Sequence, residues 1–221
     1  MPATILFDLD GTLVDTAPDL VATTNAVLAA RSIEPVSYPV LRNMIGHGAR
    51  AMLVTALEYR SVAASDEEIG AMHRAFLDHY EANIAVGSAP FPRLDEALDA
   101  LEAQGHRFAV CTNKYEALAR RLLEALSLSQ RFVRIVGPDT LGVAKPDPAH
   151  VLGAIRLAGG DAARAVMVGD SAADVDAAKA AGVPSVAVTF GYTATPAAEL
   201  GASRVIDDYG ELPGVVAALL A

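Results

Sequence analysis

A single cysteine, Cys111, stands in a chain of 221 residues, so no internal disulfide is open to it. Long apolar runs are missing too: no uninterrupted stretch approaches the roughly 20 residues that span a bilayer. The first apolar stretch is broken by Asp8 and Asp10 and does not read as the core of a signal peptide. A reducing cytoplasm is the expected setting, with no membrane partner. Positive charge is scarce: 17 Lys and Arg stand against 27 Asp and Glu, for a formal charge of -10, and the 17 are scattered. Phosphate backbones are held by clustered Lys and Arg, so general nucleic-acid binding is excluded. Small anions remain open as ligands, because a local cation, a metal ion or backbone N–H groups suffice to meet one. The five histidines, His47, His73, His79, His106 and His150, lack zinc-like spacing, and all but His47 read as structural or surface residues.

What is present is a chain built to fold. Hydrophobic residues make up 52% and charged residues 20%, the reverse of a disordered composition. From Pro92 onward, short apolar or β-branched runs alternate with Ala- and Leu-rich helical patterns, the mark of βα units. Candidate strands cover residues 4–9, 107–111, 132–136, 165–168 and 185–188, with a weaker one at 204–206. Each is nearly continuous in apolar residues, as a strand covered on both faces should be. The expected fold class is α/β, a doubly wound, Rossmann-like parallel sheet.

Residues 18–88 break this alternation, since helical patterns follow one another with no convincing strand between them. Asp15 or Thr16 is placed to cap the first helix, with Pro18 in its first turn. Ser65 and Glu68 have the spacing of a capping box. Pro90 and Pro92 stiffen the return to the βα pattern. The expected organisation is a core domain of residues 1–15 and 89–221 carrying an inserted helical cap domain, residues 16–88, with hinges at the two crossings.

Chemistry gathers at the expected strand ends. Asp8-Leu-Asp10-Gly-Thr12 closes the first strand, and in a strand i and i+2 point the same way, so both carboxylates can converge where open α/β sheets bind ligands. The alternative is that these acids merely start a turn. Gly169-Asp170-Ser171 follows a later strand, with Asp174 one helical turn on. Hard oxygen ligands from two strand ends suit Mg²⁺; the plainer reading is that Asp170 or Ser171 caps a helix, and the two roles can coexist. Thr112-Asn113 offers a hydroxyl and backbone N–H groups, and Lys145-Pro146 an ammonium ahead of a helix.

In that order, Asp8-Leu-Asp10-Gly-Thr12-Leu-Val, Thr112-Asn113, Lys145-Pro and Gly169-Asp170-Ser171-x-x-Asp174 resemble the haloacid dehalogenase superfamily of phosphatases, across essentially the whole chain. The resemblance implies that Asp8 attacks phosphorus and that Asp10 first protonates the leaving alcohol and then activates water. It implies that Thr112 and the Asn113 amide hold phosphoryl oxygens while Lys145 neutralises charge. It also implies Mg²⁺ bound by Asp8, the Asp10 backbone carbonyl and Asp170, with Asp174 in or just behind that set. Dehalogenases and phosphonoacetaldehyde hydrolases resemble the chain elsewhere but lack a carboxylate matching Asp10, which turns the expectation to phosphate esters.

Specificity is expected in the cap, at Ile45-Gly46-His47-Gly48-Ala49-Arg50. This segment resembles the phosphoglycolate phosphatase branch, with His47 and Arg50 as substrate-binding candidates and Arg50 suited to a substrate carboxylate. The plainer reading is that Gly46 and Gly48 separate two helices and Arg50 is solvated. Arg93 departs from relatives, which often carry glycine there. The expected activity is Mg²⁺-dependent hydrolysis of a small phosphorylated metabolite by a monomer or homodimer, phosphoglycolate first. Alternatives are a sugar phosphomutase of the β-phosphoglucomutase kind, a phosphatase for another small ester or pyrophosphate, a phosphoacceptor signalling module or a non-enzymatic binding protein.

Overall fold

The computed structural model describes residues 2–221, apart from the His47 side chain. In chain order the strands are β1 (Thr4–Phe7), β2 (Val14–Asp15), β3 (Ala89–Pro90), β4 (Arg107–Cys111), β5 (Phe132–Val136), β6 (Ala165–Gly169), β7 (Ser185–Val188) and β8 (Arg204–Ile206). The helices are α1 (Ala17–Ala29), α2 (Tyr38–Arg42), α3 (Ala49–Tyr59), α4 (Asp66–Ala82), α5 (Leu94–Ala103), α6 (Glu116–Ala125), α7 (Pro138–Leu141), α8 (Pro148–Leu157), α9 (Ala172–Ala180) and α10 (Leu212–Leu219). None of the described helices is long and apolar enough to cross a membrane.

Six strands form one parallel sheet in the order β5-β4-β1-β6-β7-β8. All four residues of β1 are buried, and alternate ones feed opposite layers. Ile5 and Phe7 join Leu98 and Leu101 of α5, whereas Leu6 joins Val151 and Ile155 of α8 and Ala177 of α9. The sheet is therefore doubly wound, as the continuous apolar runs predict. From β1 the chain builds outward first through β4 and β5, then on the other side through β6, β7 and β8. The crevice beyond the carboxyl end of β1 is the topological switch point, where such sheets bind ligands.

Residues 18–88 hold four helices with their own apolar cluster, including Leu28, Leu53, Met72 and Phe76. The Ser65–Glu68 capping box is present at the start of α4. Thr16 occupies the cap position of α1 but makes no side-chain cap bond. The neighbouring Asp15 accepts a hydrogen bond from the Tyr192 hydroxyl at 2.6 Å and is thus turned toward a distant loop.

Two features depart from the sequence pattern. β1 stops at Phe7, two residues before the predicted end. Gly11, at φ +83°, turns the chain so that Val14 donates its N–H to the Leu9 carbonyl at 3.0 Å, and this tight turn draws residues 9–14 off the sheet. The second is a pair of short strands: β2 and β3 pair antiparallel, with Val14 opposite Pro90 and Asp15 opposite Ala89, so the outgoing and returning chains are zipped together. Asp19 reinforces the junction, accepting from Gly87 N, Ser88 N and Ser88 Oγ at 2.8, 2.9 and 2.6 Å. Arg93 adopts φ +62°, a conformation that favours glycine. Ion pairs with Glu96 and Asp208 hold it there.

Asp19 is buried, so removing its carboxylate strands three donors at once. Asp19→Ala is expected to lower stability by about 2–4 kcal/mol, read as the urea unfolding midpoint. A midpoint equal to that of the wild type would show that the junction does not depend on this carboxylate.

Candidate active site

Two strand ends and one helix turn deliver carboxylates to the switch point. Asp8 follows β1, Asp170 follows β6, and Asp174 lies in the first turn of α9. Each offers an oxygen within 4.8 Å of the others. Asp174 is held from both sides: its Oδ2 accepts from Ser171 N and Oγ at 3.1 and 2.6 Å, and its Oδ1 from Lys145 Nζ at 2.6 Å. Ser171 takes the cap position expected of it or Asp170, and Asp174 serves both this cap and the acidic cluster. Asp170 Oδ2 accepts from Tyr192 N at 2.6 Å. Gly191 leaves space for it, since a Cβ there would overlap the Asp170 side chain.

Lys145, fully enclosed, is the only ammonium among these acids in the described residues; its Nζ lies 2.9 Å from Asp8 Oδ1 and donates to the Cys111 carbonyl at 2.7 Å. Asp8 Oδ1 nevertheless has no well-directed hydrogen bond, because the lysine meets it as a charge at a poor angle. Burial pushes the Asp8 carboxyl up to about 6, against the pull of Lys145, with Asp174 adding to the rise. Burial, then Asp174 and Asp8, hold Asp170 well above the usual carboxylate range. Burial alone would lower Lys145, but Asp174 and Asp8 outweigh it and raise the ammonium. Three carboxylates against one lysine leave net negative charge in a dry pocket, with an orphaned oxygen among hard donors. That donor set fits a divalent cation of the Mg²⁺ type.

Asn113 has a part that spacing did not reveal. Its side chain clamps the Lys145 backbone, with Oδ1 accepting from Lys145 N at 2.9 Å and Nδ2 donating to Lys145 O at 3.0 Å. Thr112 stands at the end of β4, and its Oγ1 accepts from Lys114 N at 3.1 Å, leaving the hydroxyl proton to donate elsewhere.

Asp10 does not join the acidic cluster. β1 ends at Phe7, so strand alternation does not fix Asp10 relative to Asp8, and both of its oxygens accept from Lys114 Nζ, at 2.8 and 2.9 Å. Lys114 escaped the sequence pattern because a lone lysine ordinarily reads as solvated; its place directly after Thr112-Asn113 was the only available signal. Between these groups and the helical layer lies a cavity of about 280 Å³, floored by Asp8, Asp10 and Thr112 and roofed by Ile45, Phe76 and Tyr80. A space of this size suits a small ester. Arg50 lines the same cavity, but its guanidinium pairs with Asp66 at 2.7 Å and is about half exposed, with 49% of the side chain accessible. The side chain of His47, the other cap candidate, lies outside the described residues.

The haloacid dehalogenase-like hydrolase family matches residues 5–188. The chain is similar to the phosphoglycolate phosphatases of Agrobacterium fabrum, at 47% identity over 94% of this chain and 89% of that protein, and of Mesorhizobium japonicum, at 48% over 94% and 92%. It is also similar to the crystal structure of a predicted phosphoglycolate phosphatase from Haemophilus somnus, with a TM-score of 0.90 and 30% identity over 97% of each chain. The chain belongs to the haloacid dehalogenase-like hydrolases. For a member of this family the departure of Asp10 from the other acids divides the site into two: a buried ionic centre at Asp8, and a separate pair beside it at the cavity floor.

The raised Asp8 carboxyl carries a stability consequence. The unfolded chain loses this proton near the ordinary 3.8 and the folded chain only near 6, so as pH rises through that window the folded state is progressively penalised. The full penalty, on the order of 3 kcal/mol, is present above about pH 6 and vanishes below about pH 4. Metal-free Asp8→Asn is therefore expected to be more stable than wild type at about pH 7.5, with the gain fading toward about pH 4, when both are unfolded in urea with chelator. Equal midpoints at the higher pH would refute the charge burden assigned to Asp8.

Proposed function

We propose that this hydrolase is a Mg²⁺-dependent phosphoglycolate phosphatase working through a phosphorylated Asp8. The observation that carries the proposal is the state of Asp8: one oxygen lacks a hydrogen-bond partner beside Lys145, and the residue faces the cavity. The relatives named phosphoglycolate phosphatase support the choice of ester.

In this reading an Asp8 oxygen attacks phosphorus, the bond from phosphorus to the ester oxygen breaks, and Asp10 gives its proton to the departing alkoxide. Asp10 then takes a proton from water, whose oxygen attacks phosphorus and releases inorganic phosphate with Asp8 restored. The Thr112 hydroxyl and Asn113 N–H hold phosphoryl oxygens, and Lys145 balances charge on Asp8 through both steps. Asp8, the Asp10 carbonyl and Asp170 would hold Mg²⁺, with Asp174 beside them. When bound, the cation supplies positive charge opposite the phosphoryl oxygens. Residues 16–88 act as the cap over residues 1–15 and 89–221, bringing Gly46, Gly48 and Arg50 to the mouth of the cavity. The cytoplasm is the proposed location, and the working form is a monomer or homodimer.

The test is phosphate release by purified protein across phosphoglycolate, sugar phosphates, nucleotides and pyrophosphate. Phosphoglycolate is expected to lead, metal-stripped protein to be inactive until Mg²⁺ is restored, and Asp8→Asn to lose at least about a hundredfold in turnover while remaining folded. Asp8→Asn activity above about a tenth of wild type would remove Asp8 as nucleophile. Activity centred on another ester would discard the substrate but leave the mechanism.

A further inference from the structure

The cavity floor holds a charge that the steps above do not use. Lys114 Nζ is bound to both oxygens of Asp10 and lies 4.6 Å from the centre of the Tyr80 ring, which α4 lowers onto it. Only 7% of the lysine side chain is exposed. Burial would lower the Lys114 ammonium, but Asp10 and Tyr80 together outweigh it and the net change is upward. An ammonium so enclosed needs an anion whenever the cavity is shut, because an unpaired buried charge is strongly destabilising.

Asp10, however, has a second claim on it. A carboxyl whose two oxygens both accept from one ammonium presents no donor to an ester oxygen. The two demands are reconciled if the substrate brings an anion of its own to replace Asp10 on Lys114. The surroundings suit such a guest. Lys114 lies over the Tyr80 ring and beside its hydroxyl, which is buried at the cavity wall without a well-directed hydrogen bond. It is ready to donate to a carboxylate seated on the lysine. Arg50, the other cation of the cavity lining, is already committed to Asp66 at the exposed rim.

We infer that Lys114 determines specificity by changing partners: it leaves Asp10 for an anionic tail of the substrate, and that exchange turns Asp10 toward the ester oxygen. The inference rests on the phosphatase reading. It defines the substrate class as small phosphomonoesters with a second anionic group on a short tail. It also makes the tail act on turnover as well as on binding, since a neutral tail leaves Asp10 locked to Lys114.

The experiment compares phosphoglycolate with its uncharged isostere, the corresponding amide, 2-amino-2-oxoethyl phosphate, in wild type and in Lys114→Met. Wild type is expected to prefer the carboxylate by about a hundredfold or more in kcat/KM, with a difference in kcat as well as KM. In Lys114→Met that preference is expected to collapse to within about tenfold. Lys114→Gln, which can still hydrogen-bond Asp10, answers the same question if the methionine variant does not fold. A variant that loses activity on both esters equally and keeps the wild-type preference overturns the inference, because a merely structural lysine would behave that way. Wild type hydrolysing both esters alike overturns it too while leaving the phosphatase intact. No hydrolysis of either ester, by wild type with Mg²⁺, removes the phosphatase reading and the inference together.

Discussion

Three carboxylates share a dry pocket in which burial makes Asp8 and Asp170 resist ionisation, and a single ammonium, Lys145, keeps that arrangement within reach of stability. Its contacts with Asp8, Asp174 and the Cys111 carbonyl draw β1, α9 and β4 to one point. Asn113 holds the lysine's own backbone in place, so its position does not depend on a flexible side chain alone. The balance is incomplete, and the raised Asp8 and Asp170 carboxyls express the remainder. Such a cluster of hard oxygen donors is compatible with a divalent cation. Cys111 pays no part in this chemistry: burial pushes its thiol up to about 12, which keeps it protonated and inert.

The same centre is wired to the helical layer through one loop. Tyr192 donates its backbone N–H to Asp170, and its hydroxyl donates to Asp15 and accepts from Ala17 N at 2.9 Å, where the chain enters α1. Arg42 of α2 lies over the Tyr192 ring and donates to the Gly191 carbonyl. Ion site, crossing and helical layer thus share a residue. At the cavity floor, Lys114, with Tyr80 of α4 against it, makes the corresponding contact with Asp10.

Much of this was legible in the chain itself. Apolar runs located the six strands of the main sheet; burial on both faces imposes the continuous pattern of β1, β6 and β7, whereas the edge strands β5 and β8 are partly exposed. Asp8, Asp170 and Asp174 stood out because carboxylates beside strand ends are conspicuous against an apolar background; Lys145, expected at a strand end, comes instead from the loop between α7 and α8, and the fold brings all four together. The β2–β3 ribbon was not legible: two residues per strand are too few for any period, and Pro90 argues against a strand. Nor was the early end of β1, which a glycine turn determines against the apolar pattern.

The sequence by itself determined where the strands of the main sheet lie, the run of helices between residues 18 and 88 and the inventory of charged groups, all of which depend on neighbours in the chain. Only the tertiary structure decided which charge meets which. Lys114 and Asp10 are 104 residues apart, Asn113 and Lys145 are 32 apart, and Tyr192 and Asp15 are 177 apart. Hydrogen bonds and ion pairs act over a few ångströms whatever the separation along the chain, so spacing carries no trace of them until the sheet has brought its carboxyl ends together.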